Sequence, residues 1–120
     1  MSKKELEYKE VKSAVERGDN KAKTKLAWYK LSGVGGVEID VDNAVALLKE
    51  RVKDKDEEAM WMLGLCYEFG IGCEQDLKRA EKLYKKSSDK GSVIGEFLFD
   101  NGKYERGCGI MNALGCWGSL

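Results

Sequence analysis

The sequence predicts an all-α fold of stacked helix–loop–helix repeats, and three observations carry that prediction. A motif returns at a fixed interval: Leu26-Ala27 leading to Gly33-Val34-Gly35 is followed 37 residues on by Leu63-Gly64 leading to Gly70-Ile71-Gly72. Helical periodicity flanks each Gly-x-Gly, with no strand signal between the loop and the segment after it. The 120 residues include no proline and abundant Lys, Glu, Leu and Ala, all of which suit helix. A period in this range marks units that cannot bury their apolar face alone and must stack on neighbours. Stacks of this kind serve mostly for binding.

Residues 3–18 read as a flanking helix, and Gly18-Asp19-Asn20-Lys21-Ala22 resembles a junction between repeats. Residues 20–55 form a first repeat. Its second helix places Ala44, Leu47, Leu48 and Val52 on one face between Asp42 and Lys53. Residues 56–91 form a second repeat. There, Ala59 to Tyr67 is apolar nearly all round, which for a short helix implies packing on more than one side. Leu77, Ala80, Leu83 and Tyr84 repeat the one-sided pattern, opposite a charged face of Lys78, Arg79, Glu81, Lys82, Lys85 and Lys86 that reads as solvated. Asp40 and Asp76 stand where N-caps are needed. The glycines at 33, 35, 70 and 72 end a helix and turn the chain. Gly64, with Ala27 as its counterpart, is small where a neighbouring helix comes close.

A third copy is weaker. Residues 92–109 read as a partial repeat, in which Tyr104-Glu105-Arg106-Gly107-Cys108-Gly109 echoes Tyr67-Glu68-Phe69-Gly70-Ile71-Gly72. Residues 110–120 are an uncharged, glycine-broken apolar tail, with no counterpart to Asp76 or Ala80. Truncation of a longer array, a fold-back over the last helix and an apolar peptide that docks on a partner all remain open for it. An exposed apolar end predicts self-association.

The residues resemble the Sel-one-like repeats, relatives of the tetratricopeptide repeat. The pattern of that family runs Ala, Leu-Gly, Tyr, Gly-x-Gly, Asp, Ala and a closing Gly. The second copy matches it with Ala59, Leu63-Gly64, Tyr67, Gly70, Gly72, Asp76, Ala80 and Gly91. The first has Ala22, Leu26, Gly33, Gly35, Asp40 and Ala44, but Ala27 for the glycine and Lys30 for the tyrosine. The resemblance implies a right-handed α/α solenoid of antiparallel helix pairs that works as a non-catalytic adaptor or scaffold for a protein or peptide ligand. In tetratricopeptide geometry the first helix of each repeat lines a concave groove. Carried over by aligning Leu26 with Leu63, the groove positions fall on Lys21, Thr24, Trp28, Leu31 and Ser32, and on Glu58, Trp61, Leu65, Glu68 and Phe69. Aromatic side chains there would be the type that dominates binding energy. The competing expectation is that they fill the seam between repeats.

Other function classes find little support. Basic and acidic residues number 21 each, so net charge offers no reason to expect nucleic acid or an anionic membrane. No run approaches the roughly 20 apolar residues of a spanning helix, and the first residues are too polar for a signal peptide, so the expected location is cytoplasmic. Histidine is absent, which removes the usual general base and the commonest zinc ligand. The Gly-x-Gly loops follow helices and lack the strand and the Lys-Ser/Thr of a phosphate loop. No cofactor or metal is expected. Cys66, Cys73, Cys108 and Cys116 form no Cys-x-x-Cys pair. The cysteine-rich branch of the family carries a cysteine near the end of the second helix, where this chain has Ser87 and Ser88. A Cys66 to Cys73 bridge and unpaired thiols both remain open. That branch has also been linked to β-lactam binding or hydrolysis, which supplies an enzymatic alternative. Ser87 and Lys90 have the Ser-x-x-Lys spacing, but the Ser-Asp-Asn and Lys-Thr-Gly elements are missing. A structural piece without any ligand is the third reading.

Overall fold

The computed structural model describes residues 2–107, and every regular element among them is helical. In chain order these are α1 (Lys3–Glu16), α2 (Asn20–Ser32), a 3-10 turn (Val34–Gly36), α3 (Val41–Lys53), α4 (Glu57–Phe69), α5 (Leu77–Asp89) and α6 (Val93–Gly107). Each helix packs on its sequence neighbours, and α4 also touches both α2 and α6. The chain is an α-solenoid: α2, α4 and α6 lie side by side as one layer, and α3 and α5 cover them as antiparallel partners. Helix α1 rests on α2 and on the 3-10 turn.

Aspartates start the four helices α2 to α5. Asp40 and Asp76 accept the Asn43 and Arg79 backbone N–H groups at 3.1 Å each, and Asp19 and Asp56 do the same for α2 and α4. Each cap satisfies a donor that the first turn leaves without an intrahelical partner. Ser2 and Glu5 form a reciprocal capping box on α1. At the other end of α4, Gly70 takes a left-handed φ of 67° and its N–H returns to the Cys66 carbonyl.

The second glycine of each loop has a different task. A Cβ at Gly72 would lie 2.8 Å from Val45 Cγ2 and 3.0 Å from the Val41 carbonyl oxygen, so this loop sits directly on α3 of the preceding pair. Gly35 approaches the Lys4 carbonyl on α1 in the same way. The Gly-x-Gly signature thus combines a helix cap with a contact to the helix before.

The core runs along the seam of the pairs, with Ala27, Ala44, Leu48, Ala59, Leu63, Cys66, Ala80 and Tyr84 all buried. Gly64 lies against the ring of Tyr84, whose hydroxyl donates to Glu68 Oε1 at 2.7 Å. The two junctions between pairs differ in chemistry. At the first, buried Arg51 reaches Asp54 at 2.7 Å and Asp56 at 3.6 Å, while Thr24 Oγ1 donates to Asp56 Oδ2 at 2.7 Å. At the second, the matching residue is Ser87, whose hydroxyl donates to the Glu57 carbonyl at 2.7 Å. Ser87 also packs on Gly95 of α6, where α4 has Ala59.

Helix α6 continues through Gly107, so Tyr104, Glu105 and Arg106 are helical like Tyr67, Glu68 and Phe69. The last glycine of that echo, Gly109, and the apolar tail 110–120 with its expected self-association lie outside the described residues.

Candidate functional site

The expected groove residues separate into three groups. Trp28, on α2, is 41% exposed and stands over Trp61 of α4, with ring centroids 6.2 Å apart and planes tilted by 59°. Trp61 itself is only 8% exposed, and its indole Nε1 donates to Glu58 Oε1 at 3.0 Å. The structure therefore brings Trp28, Trp61 and Glu58 together, with Trp28 as the accessible member and Trp61 in the seam. Lys21 is exposed near the start of α2, and Phe69, at the end of α4, is 63% exposed.

The other five expected groove side chains are engaged elsewhere. Thr24 is 4% exposed, and its hydroxyl is spent on Asp56, the cap of the next pair. Glu68 accepts the Tyr84 hydroxyl and so ties α4 to α5. Leu31 is half-buried against the core. Leu65 is also half-buried and packs against the core, and Ser32 accepts the Val34 N–H at 3.3 Å within the turn after α2. The carried-over register places these positions on the right helices, but the junction between pairs turns Thr24 inward, and Glu68 is engaged by the partner helix of its own pair.

Around Trp28 the surface opens into a cleft of about 690 Å³ between α1 and α2, with Met62 of α4 at its inner end. Helix α2 contributes Lys21, Lys25, Trp28 and Tyr29, and α1 contributes Lys4, Glu7, Glu10, Val11 and Ala14. Tyr29 is held edge-on to Tyr8 of α1, with centroids 5.4 Å apart. The opening is charged at its rim and apolar at its floor, a combination suited to a peptide with an apolar anchor. Sequence reasoning missed the α1 wall. Its only signal was Val11 and Ala14 at helical spacing in an otherwise polar segment.

Helix α6 adds exposed Ile94 and Phe97, and Val93 is exposed beside them. Counted from the caps Asp19, Asp56 and Ser92, Phe97 occupies the position of Trp61. The sequence echo hides this, because it aligns the ends of α4 and α6 at 37 residues whereas the caps are 36 apart.

The serine–lysine pair and two of the four cysteines fall within the described residues. Ser87 is fully buried and donates to a backbone carbonyl, while Lys90 lies exposed past the end of α5. The Ser-x-x-Lys spacing is thus a helix end. Cys66 and Cys73 are free thiols, and Cys73 Sγ points to the Cys66 carbonyl oxygen at 3.5 Å. Burial pushes the Cys66 thiol up to about 11, with a further push from Cys73, which removes it as a nucleophile near neutral pH. Among the described residues, no group of three or more Cys, Asp or Glu side chains could hold a metal ion, and no helix is long and apolar enough to cross a membrane.

Comparison with known proteins agrees with this architecture. The model of the Sel1 repeat matches residues 20–50 and 57–92. A putative sel1-like repeat-containing protein of Acanthamoeba polyphaga mimivirus is 38% identical over 74 residues, covering 62% of this chain and 13% of the viral protein. Among solved structures, a Sel1 repeat protein from Oxalobacter formigenes superposes with a TM-score of 0.74 at 27% identity, over 89% of this chain and 42% of that one. The protective antigen c5321 of uropathogenic Escherichia coli, which displays an SLR fold, gives 0.67 at 25% identity, over 83% and 21%. The chain thus spans less than half the length of each of these relatives. With two matched repeats over more than half its residues and the same solenoid geometry, the chain belongs to the Sel1 repeat family.

Proposed function

We propose that this chain is a non-catalytic protein interaction module that binds a peptide segment of its partner at the Trp28 cleft. Proteins of this repeat family serve in general as interaction scaffolds. The observation that carries the finer reading is the exposed Trp28 ring, set on Trp61 and opening onto the α1–α2 cleft. A large ring already backed by a second aromatic loses little freedom on binding, which is the property of an anchor residue. Lys21 and Lys25 on one wall and Glu7 and Glu10 on the other give the rim charges that can orient a ligand. We assign the concave role to α2, α4 and α6, with residues 20–55 and 56–91 as the repeat units.

The test is a selection of displayed peptides against the chain, repeated with Trp28→Ala and with Lys21→Glu. Trp28 is the better target than Trp61, since truncating the buried ring would confound binding with stability. Peptides enriched by the parent should lose about tenfold or more in affinity for Trp28→Ala, as expected at an anchor worth roughly 2 kcal/mol, while the thermal unfolding curves stay cooperative. Selection of the same peptides at unchanged affinity by the Trp28→Ala chain would remove the cleft from consideration.

A further inference from the structure

A second cavity, of about 310 Å³, lies where the ends of α3 and α5 meet near the start of α4. Val52 and Met60 line it, and Lys53, Lys55, Lys86 and Lys90 surround them. Asp89 also lines it, but its carboxylate is taken by Lys85 at 3.2 Å. All four lysines are exposed, and none of their ammonium groups makes a hydrogen bond or ion pair with a described residue. The chain as a whole is neutral, so this local excess of positive charge does not follow from composition.

A structural role accounts for part of the cluster. Lys53 and Lys86 stand in the last turns of α3 and α5, where a cation suits the helix dipole. It does not account for Lys55. That residue has φ +64°, the one positive value at a described residue other than glycine. The matching positions in the junctions before and after are Gly18 and Gly91, with φ +94° and +97°. A lysine in this conformation carries a backbone cost that glycine would avoid, and such cost tends to be retained where a side chain has work to do.

We propose that the lysine-surrounded cavity docks an acidic peptide segment. One apolar side chain of that segment rests on Val52 and Met60, and neighbouring carboxylates reach Lys55, Lys86 and Lys90. The lysine stems lengthen the apolar walls while their ammonium groups meet the charge. A peptide fits better than a bare phosphate group, because Val52 and Met60 give the cavity an apolar floor that a phosphate would leave unfilled. This surface shares no residue with the Trp28 cleft, so its test stands apart from the function proposed above.

The probe is a fluorescein-labelled synthetic peptide of glutamates with a single central leucine, titrated by fluorescence anisotropy at low and at physiological salt. Binding should weaken as salt rises. Lys86→Glu/Lys90→Glu should raise Kd about tenfold or more, since two attractions become repulsions. Lys55→Gly should raise Kd roughly threefold while Tm holds or increases, and Trp28→Ala should leave Kd unchanged. The proposal is overturned if the natively folded chain fails to bind the peptide at low salt, if a glutamine version binds equally well, or if the charge reversal leaves Kd in place. Displacement of the peptide by inorganic pyrophosphate or by a single-stranded oligonucleotide at lower concentration would overturn the peptide assignment. A fall in Tm for Lys55→Gly would overturn the argument from strain.

Discussion

Gly64→Ala sets two quantifiable effects against each other. On propensity alone, replacing a mid-helix glycine by alanine should stabilise α4 by about 1 kcal/mol. In this fold the new methyl would lie 2.5 Å from Tyr84 Cε1, 2.8 Å from Cδ1 and 3.3 Å from the Ala80 carbonyl oxygen. Carbon pairs rest at about 3.5–4.0 Å, so the ring must move by roughly 1 Å. Tyr84 has no space to do so, being fully buried with its hydroxyl bonded to Glu68. Overpacking of this kind costs about 1–3 kcal/mol. With a clash this close the cost lies in the upper part of that range, so the overlap wins and the net effect should be a loss of up to about 2 kcal/mol, read as a lower urea midpoint by circular dichroism at 222 nm with an unchanged slope. The control is Tyr84→Leu, which is destabilising by itself but removes the clash, so Gly64→Ala in that background should be neutral or stabilising. If Gly64→Ala alone raised the midpoint, the close approach of α4 and α5 would be refuted.

Two further outcomes concern the aspartate caps and the buried thiol of α4. Asp76→Ala removes a cap and should cost about 1 kcal/mol, whereas Asp56→Ala also strands Thr24 and deprives buried Arg51 of a partner, for about 3 kcal/mol in all; equal losses in urea unfolding would show that the Arg51 cluster is energetically idle. For Cys66, the folded-state thiol is raised above its ordinary value near 9 to about 11. Its stability contribution is therefore fully present below about pH 9 and is lost as pH rises towards 11, and Cys66→Ala should flatten that alkaline decline in the urea midpoint.

What the sequence announced is what local chemistry encodes. Asp40 and Asp76 cap helices wherever the chain places them, and Gly70 ends α4 because the bend demands a left-handed residue. Gly64 could be read as a contact point because the adjoining apolar pattern leaves no other use for it. The site was less legible. Thr24 faces inward because Asp56 arrives 32 residues later to accept its hydroxyl proton, and Glu68 is taken by a tyrosine 16 residues on. Neither pairing has a periodic signature. The wall that α1 lends to the cleft is likewise set by how that helix rests on Gly35, a meeting of two backbones that side-chain patterns do not report.

The absence of any closing contact among the described helices has a consequence for how such a chain can change. Helix α2 touches α4 and α4 touches α6, yet α2 and α6 do not meet. Among the described helices, no contact fixes how many pairs stand between the first and the last. A helix pair added or removed between Trp28 and Phe97 would shift their separation by one pitch of the array and leave the local packing around each ring as it is. The distance between these two exposed rings is then adjustable in whole steps, set by the number of pairs between them and not by rebuilding a surface.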